Sequence, residues 1–252
     1  KSKSSFYNDT VKLKFEDNKF LLDKIGLVRV AEPYRVISNK FFNPRISHDG
    51  KYWYISVGLE FEKENIKLTD ESLGIDVGIK DLAICSNNMT FKNINKTWKV
   101  RKLKKKLCRL QRNLSKKYEM NKEGESFVKT SNIIKLEKEI RLVHRRLKNI
   151  RNNYIHQTTT TIVKTKPCRI VMETLNIKGM MKNRYLAKAI AQQCLYEFKT
   201  ILQYKCNFYG IEFVEADIWY PSSKLCSCCG NIKKDLKLSD RVYKCECGNV
   251  IN

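Results

Sequence analysis

The 252-residue chain carries 50 Lys and Arg against 26 Asp and Glu, which gives a formal net charge of +24. Such an excess opposes a compact fold by self-repulsion, so a polyanionic partner is expected, and nucleic acid is favoured over an anionic membrane surface or a generally lysine-rich proteome. No apolar run approaches the ~20 residues of a membrane-spanning helix, and no signal-peptide pattern is present, so neither membrane insertion nor secretion is expected.

The first part of the chain, residues 10–66, contains short runs of β-branched and aromatic residues that are typical of strands. The predicted strands are Thr10–Phe15, Leu27–Val30, Tyr34–Ser38 and Tyr52–Phe61. Asp49-Gly50 precedes the last of them and predicts a hairpin turn. We expect a small antiparallel sheet or barrel whose aromatic side chains form its core or, alternatively, stack on bases.

Beyond a polar linker, strands and helices alternate along the chain, an order that predicts a mixed sheet flanked by helices. One helix is expected over Asn183–Tyr209, and Gly210 is expected to end it. The predicted strands are Leu73–Ile79, Leu82–Ser86, Met89–Lys92, Arg169–Glu173 and Ile211–Asp217.

Residues 97–162 predict a long helical hairpin, because leucines at 103, 107, 110 and 114 form one helical stripe and a second stripe runs from Ile133 to Tyr154. The first arm has few acidic residues to balance its many basic ones. Contact with phosphate groups is therefore as strong a hypothesis as a solvated face, with Lys104, Lys105 and Arg109 as the candidate nucleic-acid-binding residues.

Five of the ten cysteines are scattered through apolar segments, where buried single thiols are expected, and the other five fall within residues 226–247. Cys226-x2-Cys229 and Cys245-x-Cys247 are separated by 15 residues, and a glycine follows each pair. Four thiolates suit tetrahedral Zn²⁺ in a closed structural site. Cys228 could replace either residue of the first pair, and a redox or disulfide pair is the alternative.

Two acidic residues stand in apolar strands: Asp76 interrupts Leu73–Ile79, and Glu173 ends Arg169–Glu173. Buried carboxylates need a partner charge, and a divalent metal can provide it. Carboxylates that converge from neighbouring strands are typical of Mg²⁺ sites for phosphodiester hydrolysis. Each acid taken singly is also compatible with a solvated or salt-bridged residue at a strand end.

Four segments together resemble the motifs of TnpB proteins, which are transposon-encoded relatives of type V CRISPR effector nucleases. Gly74-Ile-Asp-Val-Gly-Ile-Lys-Asp-Leu-Ala83 resembles the first RuvC motif, and Val171-Met-Glu-Thr-Leu-Asn-Ile-Lys-Gly-Met180 resembles the second. Residues 219–230 and 238–248 resemble the zinc ribbon inserted before the third motif. The match runs in order over roughly residues 6–252.

The resemblance implies an α/β, RNase H-like (RuvC) mixed sheet with an inserted helical hairpin and zinc ribbon, preceded by a small antiparallel β-barrel-like wedge domain that grips RNA. The expected divisions are residues 1–70 for the partial wedge domain, 71–223 for the RuvC-like domain, and 224–250 for the zinc ribbon. Cys226, Cys229, Cys245 and Cys247 are the expected zinc ligands.

By the same resemblance, Asp76 matches the first catalytic aspartate and Glu173 the catalytic glutamate, both holding Mg²⁺. The third catalytic aspartate of the family lies two residues beyond the position of Asn252, and Asp217 is not expected to replace it. The N-terminal recognition lobe of the family is not matched either. The chain is therefore expected to be part of a longer protein and to be inactive when isolated.

The implied function is cleavage of double-stranded target DNA under a guide RNA, in the prokaryotic cytosol or nucleoid. A nuclease-inactive, RNA-guided DNA-binding repressor derived from TnpB is the alternative. A zinc-ribbon accessory protein of a transposase is a third possibility, although that function would not require Asp76 and Glu173.

Overall fold

The computed structural model describes residues 5–7, 14–16, 18–22, 25–32, 41–60, 66–217, 220–221, 224–226, 228–233 and 242–251. The predicted strand Tyr34–Ser38 and the first four residues of Thr10–Phe15 lie outside the described residues. Within the described part, no helix is both long and apolar enough to cross a membrane.

The N-terminal residues form short strands, which are β1 (Ser5–Tyr7), β2 (Lys14–Glu16), β3 (Lys19–Leu22), β4 (Gly26–Arg29), β5 (Phe41–His48) and β6 (Trp53–Leu59). They make two small antiparallel sheets, with strand orders β1-β5-β6 and β2-β3-β4. Phe20, Leu22 and Ile46 are buried together in a small core. The predicted hairpin is present, because the Asp49 carboxylate accepts hydrogen bonds from the backbone N–H groups of residues 51 and 52 and Gly50 has a φ of +95°.

A five-stranded mixed sheet forms the centre of the molecule. Its strands are β7 (Thr69–Val77), β8 (Asp81–Cys85), β9 (Thr90–Lys92), β12 (Pro167–Glu173) and β13 (Glu212–Ala216). They follow the order β13-β12-β7-β8-β9, in which β7, β12 and β13 are parallel whereas β8 and β9 are antiparallel to their neighbours. The predicted mixed sheet is thereby confirmed, although β7 begins four residues before Leu73.

The predicted helical hairpin is confirmed to within one residue at its ends. It consists of α1 (Trp98–Met120) and α2 (Ser131–Val163), and a short 3₁₀ helix, Ile94–Lys96, precedes it. The two arms pack through Val100, Val143 and Leu147 with the leucine stripe of α1 around them. Its tip carries two short paired strands, β10 (Lys122–Glu123) and β11 (Ser126–Phe127).

The single helix predicted over Asn183–Tyr209 is wrong. The chain forms α3 (Ile177–Met181), α4 (Ala187–Gln193) and α5 (Leu195–Tyr209), and Cys194 between the last two has a left-handed φ of +57°. Contacts with distant segments hold the end of α4: the Asn95 amide donates to the carbonyl of Gln192, and the Gln193 amide of α4 itself donates to the carbonyl of Gly78. Neither Gly nor Pro marks the break, so local sequence gave no signal for it.

Helices α2 and α5 pack together against the sheet, and Gly210 ends α5 as predicted, with a φ of +72°. Lys205 is buried in this contact. Its ammonium donates to the carbonyl of His156 at 2.7 Å and to the hydroxyls of Thr159 and Thr160 at 2.8 and 2.6 Å. A buried cation therefore joins the two helices through neutral acceptors, a contact that sequence analysis missed.

The expectation of buried single thiols is wrong for one of the five scattered cysteines. Cys85 and Cys206 are buried, and burial raises the pKa of their thiols to about 11 and about 12. Cys168 and Cys194 are half-buried, whereas Cys108 is exposed because it lies off the leucine stripe of α1.

Candidate functional site

Two acidic residues lie side by side at the carboxyl-terminal edge of the parallel strands β7 and β12. Ile75 pairs with Met172, so Asp76 and Glu173 follow at adjacent positions of neighbouring strands. Glu173 pairs in turn with Ala216, which Asp217 follows. Parallel strands bring acids that are distant in sequence to one sheet edge, and we call Asp76 and Glu173 together the acidic pair.

The burial expected of the acidic pair is found only in part, because Glu173 is half-buried and Asp76 is exposed. Strand β7 alternates, so the buried Ile75 and Val77 face the core whereas Asp76 lies on the opposite face of the sheet. The position of Asp76 inside an apolar run therefore predicted more burial than the structure shows.

The electrostatics of the acidic pair nevertheless disfavour two negatively charged carboxylates side by side. Removal of water by the surrounding protein raises the pKa of Asp76, and the negative Glu173 raises it further, against a smaller lowering by the backbone hydrogen bond at Val77. A cation between the two groups would remove this repulsion. Carboxylate oxygens are ligands that Mg²⁺ prefers, so the chemistry of the donors fits that ion.

Buried amides support the turn that immediately follows Asp76. The Gln193 amide donates to the carbonyl of Gly78 at 2.8 Å, and the Asn93 amide donates to the carbonyl of Ile79 at 2.7 Å. Asn95 joins them by donating to Oε1 of Gln193 at 3.2 Å. We call Asn93, Asn95 and Gln193 the amide network. Sequence analysis missed it, because single Asn and Gln residues carry no spacing signal.

The four cysteines named from their spacing come together. The sulfur atoms of Cys226, Cys229, Cys245 and Cys247 all lie within 4.8 Å of one another. Four sulfurs at about 2.3 Å from a tetrahedral Zn²⁺ would stand roughly 3.8 Å apart, so the donor set fits zinc. Cys228 is exposed and outside the cluster, and all ten cysteines are free thiols.

Two backbone turns shape the cysteine cluster. The N–H of Gly230 bonds to the carbonyl of Cys226, and the N–H of Gly248 bonds to the carbonyl of Cys245, both at 3.0 Å. Both glycines have positive φ, which explains why each cysteine pair is followed by this residue. The Asn249 amide donates to the sulfur of Cys226 and lowers the pKa of that thiol.

The three basic residues named as nucleic-acid contacts do not share one environment. Lys105 and Arg109 are exposed on α1. Lys104 is half-buried, and its ammonium donates to Oε1 of Gln192 at the end of α4. The structure therefore brings the ammonium of Lys104 to the end of α4, although its side chain lines an open surface groove together with Lys105 and Arg109.

The fold belongs to a recognisable class of α/β proteins. It is similar to a chain in a solved structure titled "Cryo-EM structure of the Cas12f1-sgRNA-target DNA complex", with a TM-score of 0.57 and 20% identity over 87% of this chain and 46% of that one. The family model OrfB_IS605, described as "Probable transposase", matches residues 55–184, and a model for the Cas12f1-like TNB domain matches residues 196–252. The chain belongs to the OrfB_IS605 family, which confirms the resemblance to TnpB proteins.

Two curated relatives carry names that describe a guided nuclease. A "Putative RNA-guided DNA endonuclease" of Streptomyces pristinaespiralis is 32% identical over 198 residues, which cover 79% of this chain and 46% of that protein. The "Putative RNA-guided DNA endonuclease InsQ" of Escherichia coli strain K12 is 29% identical over 256 residues, 95% of this chain and 60% of that protein. The chain thus spans about half the length of the relatives it matches.

Proposed function

We propose that this chain supplies the nuclease part of an RNA-guided DNA endonuclease and that Asp76 and Glu173 hold the Mg²⁺ at which target DNA is hydrolysed. The observation that carries the proposal is the register of β7 and β12, which puts the two carboxylates side by side at one sheet edge. The names of the relatives supply the substrate, and the net charge of +24 suits both RNA and DNA as partners.

Each residue of the acidic pair contributes to this chemistry in a definite way. A bound divalent ion lowers the pKa of a water molecule and stabilises charge on the phosphodiester oxygens. Asp76 and Glu173 supply the negative oxygen ligands, and their mutual repulsion gives them a reason to bind a cation. The amide network fixes the turn after Asp76, so the carboxylate is held in place before substrate arrives.

The cysteine cluster and the N-terminal sheets complete the proposal. Cys226, Cys229, Cys245 and Cys247 hold a structural Zn²⁺ in a zinc ribbon. The N-terminal sheets act as a wedge domain that contacts RNA. This assignment is supported by the contact between the N-terminal sheets and the helical hairpin. Arg145 of α2 forms an ion pair with Asp49 and donates a hydrogen bond to the hydroxyl of Tyr54 at 3.0 Å.

The test replaces Asp76 or Glu173 by Ala in the protein as its gene encodes it, loaded with its guide RNA. Each change is expected to slow Mg²⁺-dependent cleavage by about a hundredfold or more, since metal-held charge stabilisation is worth several kcal/mol. Binding of guide and target should be nearly unchanged, because binding is spread over many phosphate contacts. Asp70→Ala is the matched control, since Asp70 is an exposed acid on the same strand.

Two outcomes would contradict the proposal. Cleavage that persists in both variants would mean that other acids hold the metal. An unmodified protein that binds its target under guidance but never cuts it would instead be a guided repressor, a function that none of the relatives' names supports.

A further inference from the structure

Two cationic side chains, Lys104 and Arg151, are joined through Asn95 and Gln192 at the end of α4, and two more lie on the same helices. Arg101 and Lys104 belong to α1, Arg151 to α2 and Lys188 to α4. We call them the basic cluster. Burial lowers the pKa of Lys104, and the positive charges of Arg151, Lys188 and Arg101 lower it further. Like charges that interact in this way raise the free energy of the fold unless an anion joins them.

Buried polar groups hold two members of the basic cluster, Arg151 and Lys104, in place. The guanidinium of Arg151 donates through Nε to Oδ1 of Asn95 at 2.9 Å, and Asn95 is only 9% exposed. The Asn95 amide donates to the carbonyl of Gln192 at 2.9 Å, and the side chain of the same glutamine accepts from Lys104. These bonds fix where the cations stand while leaving the Nη groups of Arg151 and two donors of Lys104 available.

The acids among the described residues do not pair with the basic cluster. Within the part of the chain that the structure describes, none of its four side chains forms an ion pair with a carboxylate. The acid that shares a neighbour with it is Glu197, which acts on the thiol of Cys194 together with Arg151.

Stabilisation of the α4 dipole does not account for four cations. A positive charge near a helix carboxyl end is stabilised by the helix dipole, but the effect falls off within the last turn. One such side chain, Lys104, already contacts the last turn of this seven-residue helix. The other three cations add mutual repulsion. A bound external anion would offset this repulsion.

We propose that Arg101, Lys104, Arg151 and Lys188 form a binding site for a backbone phosphate of a nucleic-acid strand. The proposal rests on the proposed function and adds where the strand is held. Asn95 and Gln193 connect the basic cluster to Gly78, two residues after Asp76. A strand anchored by this phosphate therefore lies on the same rigid support as the acidic pair, which fixes its position relative to the cleaving carboxylates.

The test compares two double variants with equal loss of charge. Lys104→Gln with Arg151→Gln removes half of the basic cluster. Lys116→Gln with Arg141→Gln is the matched control, because both residues are exposed and lie ten or more positions away on the same helices. Binding of fluorescent single-stranded RNA and DNA of the same sequence is measured by anisotropy at several salt concentrations.

The cluster variant is expected to bind at least tenfold more weakly. The slope of log affinity against log salt should fall by up to about 0.7 for each phosphate that the variant no longer neutralises. The control pair should weaken binding clearly less. Whichever of the two probes, RNA or DNA, shows the larger difference between the cluster variant and the control variant is the one held at the site. Equal weakening in the two variants would overturn this site but leave the proposed function standing. Absence of any binding by the unmodified chain would overturn both.

A second measurement guards against misfolding, since Arg151 also supports Asn95. In the unmodified chain, acetylation of each lysine by an amine-reactive ester is followed by mass spectrometry with and without the bound oligonucleotide. Lys104 and Lys188 are expected to be protected several-fold more than Lys116. Equal protection of the three lysines would contradict the proposal.

Discussion

The acidic pair and the cysteine cluster are both candidate metal centres, but they rest on different supports. The acidic pair stands at the edge of a sheet whose strands bury Leu73, Ile75, Ile170 and Met172 in the main core. Around the cysteine cluster, the described residues that are buried are Cys226 and Tyr243. The acidic pair therefore stands on a fold that is stable without its metal. Around the cysteine cluster, by contrast, metal binding must supply much of the folding energy.

This difference predicts opposite responses to loss of metal. Without a cation, the acidic pair is expected to keep its backbone, although Glu173 then repels Asp76. Without zinc, the cysteine cluster keeps two short turns and the small β14 (Tyr243–Lys244) and β15 (Val250–Ile251) pair, which is too little to be stable alone. Three substitutions test this difference between the two centres.

Replacing Cys226 by Ser should have the largest effect. Zinc binding to small cysteine sites is worth roughly 10–16 kcal/mol and is coupled to folding, so the described residues between 224 and 251 should lose their structure while the central sheet remains. Elemental analysis should find one Zn²⁺ per unmodified chain and a large loss in the variant, and amide exchange should become fast at Tyr243. Cys228→Ser is the control, because Cys228 lies outside the cluster. A metal-free but ordered ribbon would refute the zinc assignment.

Gln193→Leu should have an intermediate effect, confined to the support of the acidic pair. The change leaves the buried carbonyl of Gly78 without its partner, at a cost of about 1–3 kcal/mol, and removes one of the two acceptors of the Asn95 amide. Urea unfolding measures the loss, and zinc content should not change. Gln203→Leu on the exposed face of α5 serves as the comparison. Equal free energies of unfolding for the two variants would mean that the amide network does not stabilise the fold.

Asp76→Asn should have the smallest effect, and it should be stabilising. The raised pKa means that the folded state binds the proton more tightly than the unfolded state, so wild-type stability falls as pH rises from the ordinary value near 3.8 through the raised pKa. At neutral pH the variant should be more stable by under about 1 kcal/mol, since the group is partly exposed, and the difference should vanish below pH 3.8.

Mg²⁺ provides the check on this last prediction. It should raise the thermal midpoint of the wild-type chain and leave that of Asp76→Asn nearly unchanged, because the variant lacks one anionic ligand. Asp70→Asn, on the exposed start of β7, should behave like wild type in both respects. A destabilised Asp76→Asn variant at neutral pH would show that the carboxylate makes net favourable contacts without metal.

Spacing along the chain was enough to predict the features that depend on local order. The leucine stripe of α1 predicted the hairpin because helical periodicity is a local property, and the two cysteine pairs with Gly230 and Gly248 predicted the cluster because a tight turn around a metal needs nearby ligands. The motifs around Asp76 and Glu173 identified the family, whose membership the match over residues 55–184 establishes.

Only the tertiary structure decided the features that depend on distant partners. The break at Cys194 is flanked by contacts of Gln192 and Gln193 with other segments, and the buried ammonium of Lys205 depends on three acceptors of α2. Lys104 and Lys105 are neighbours of one residue type, yet one is half-buried against Gln192 and the other is exposed. Sequence determines which groups a chain offers, whereas burial and pairing depend on which of them the fold brings together.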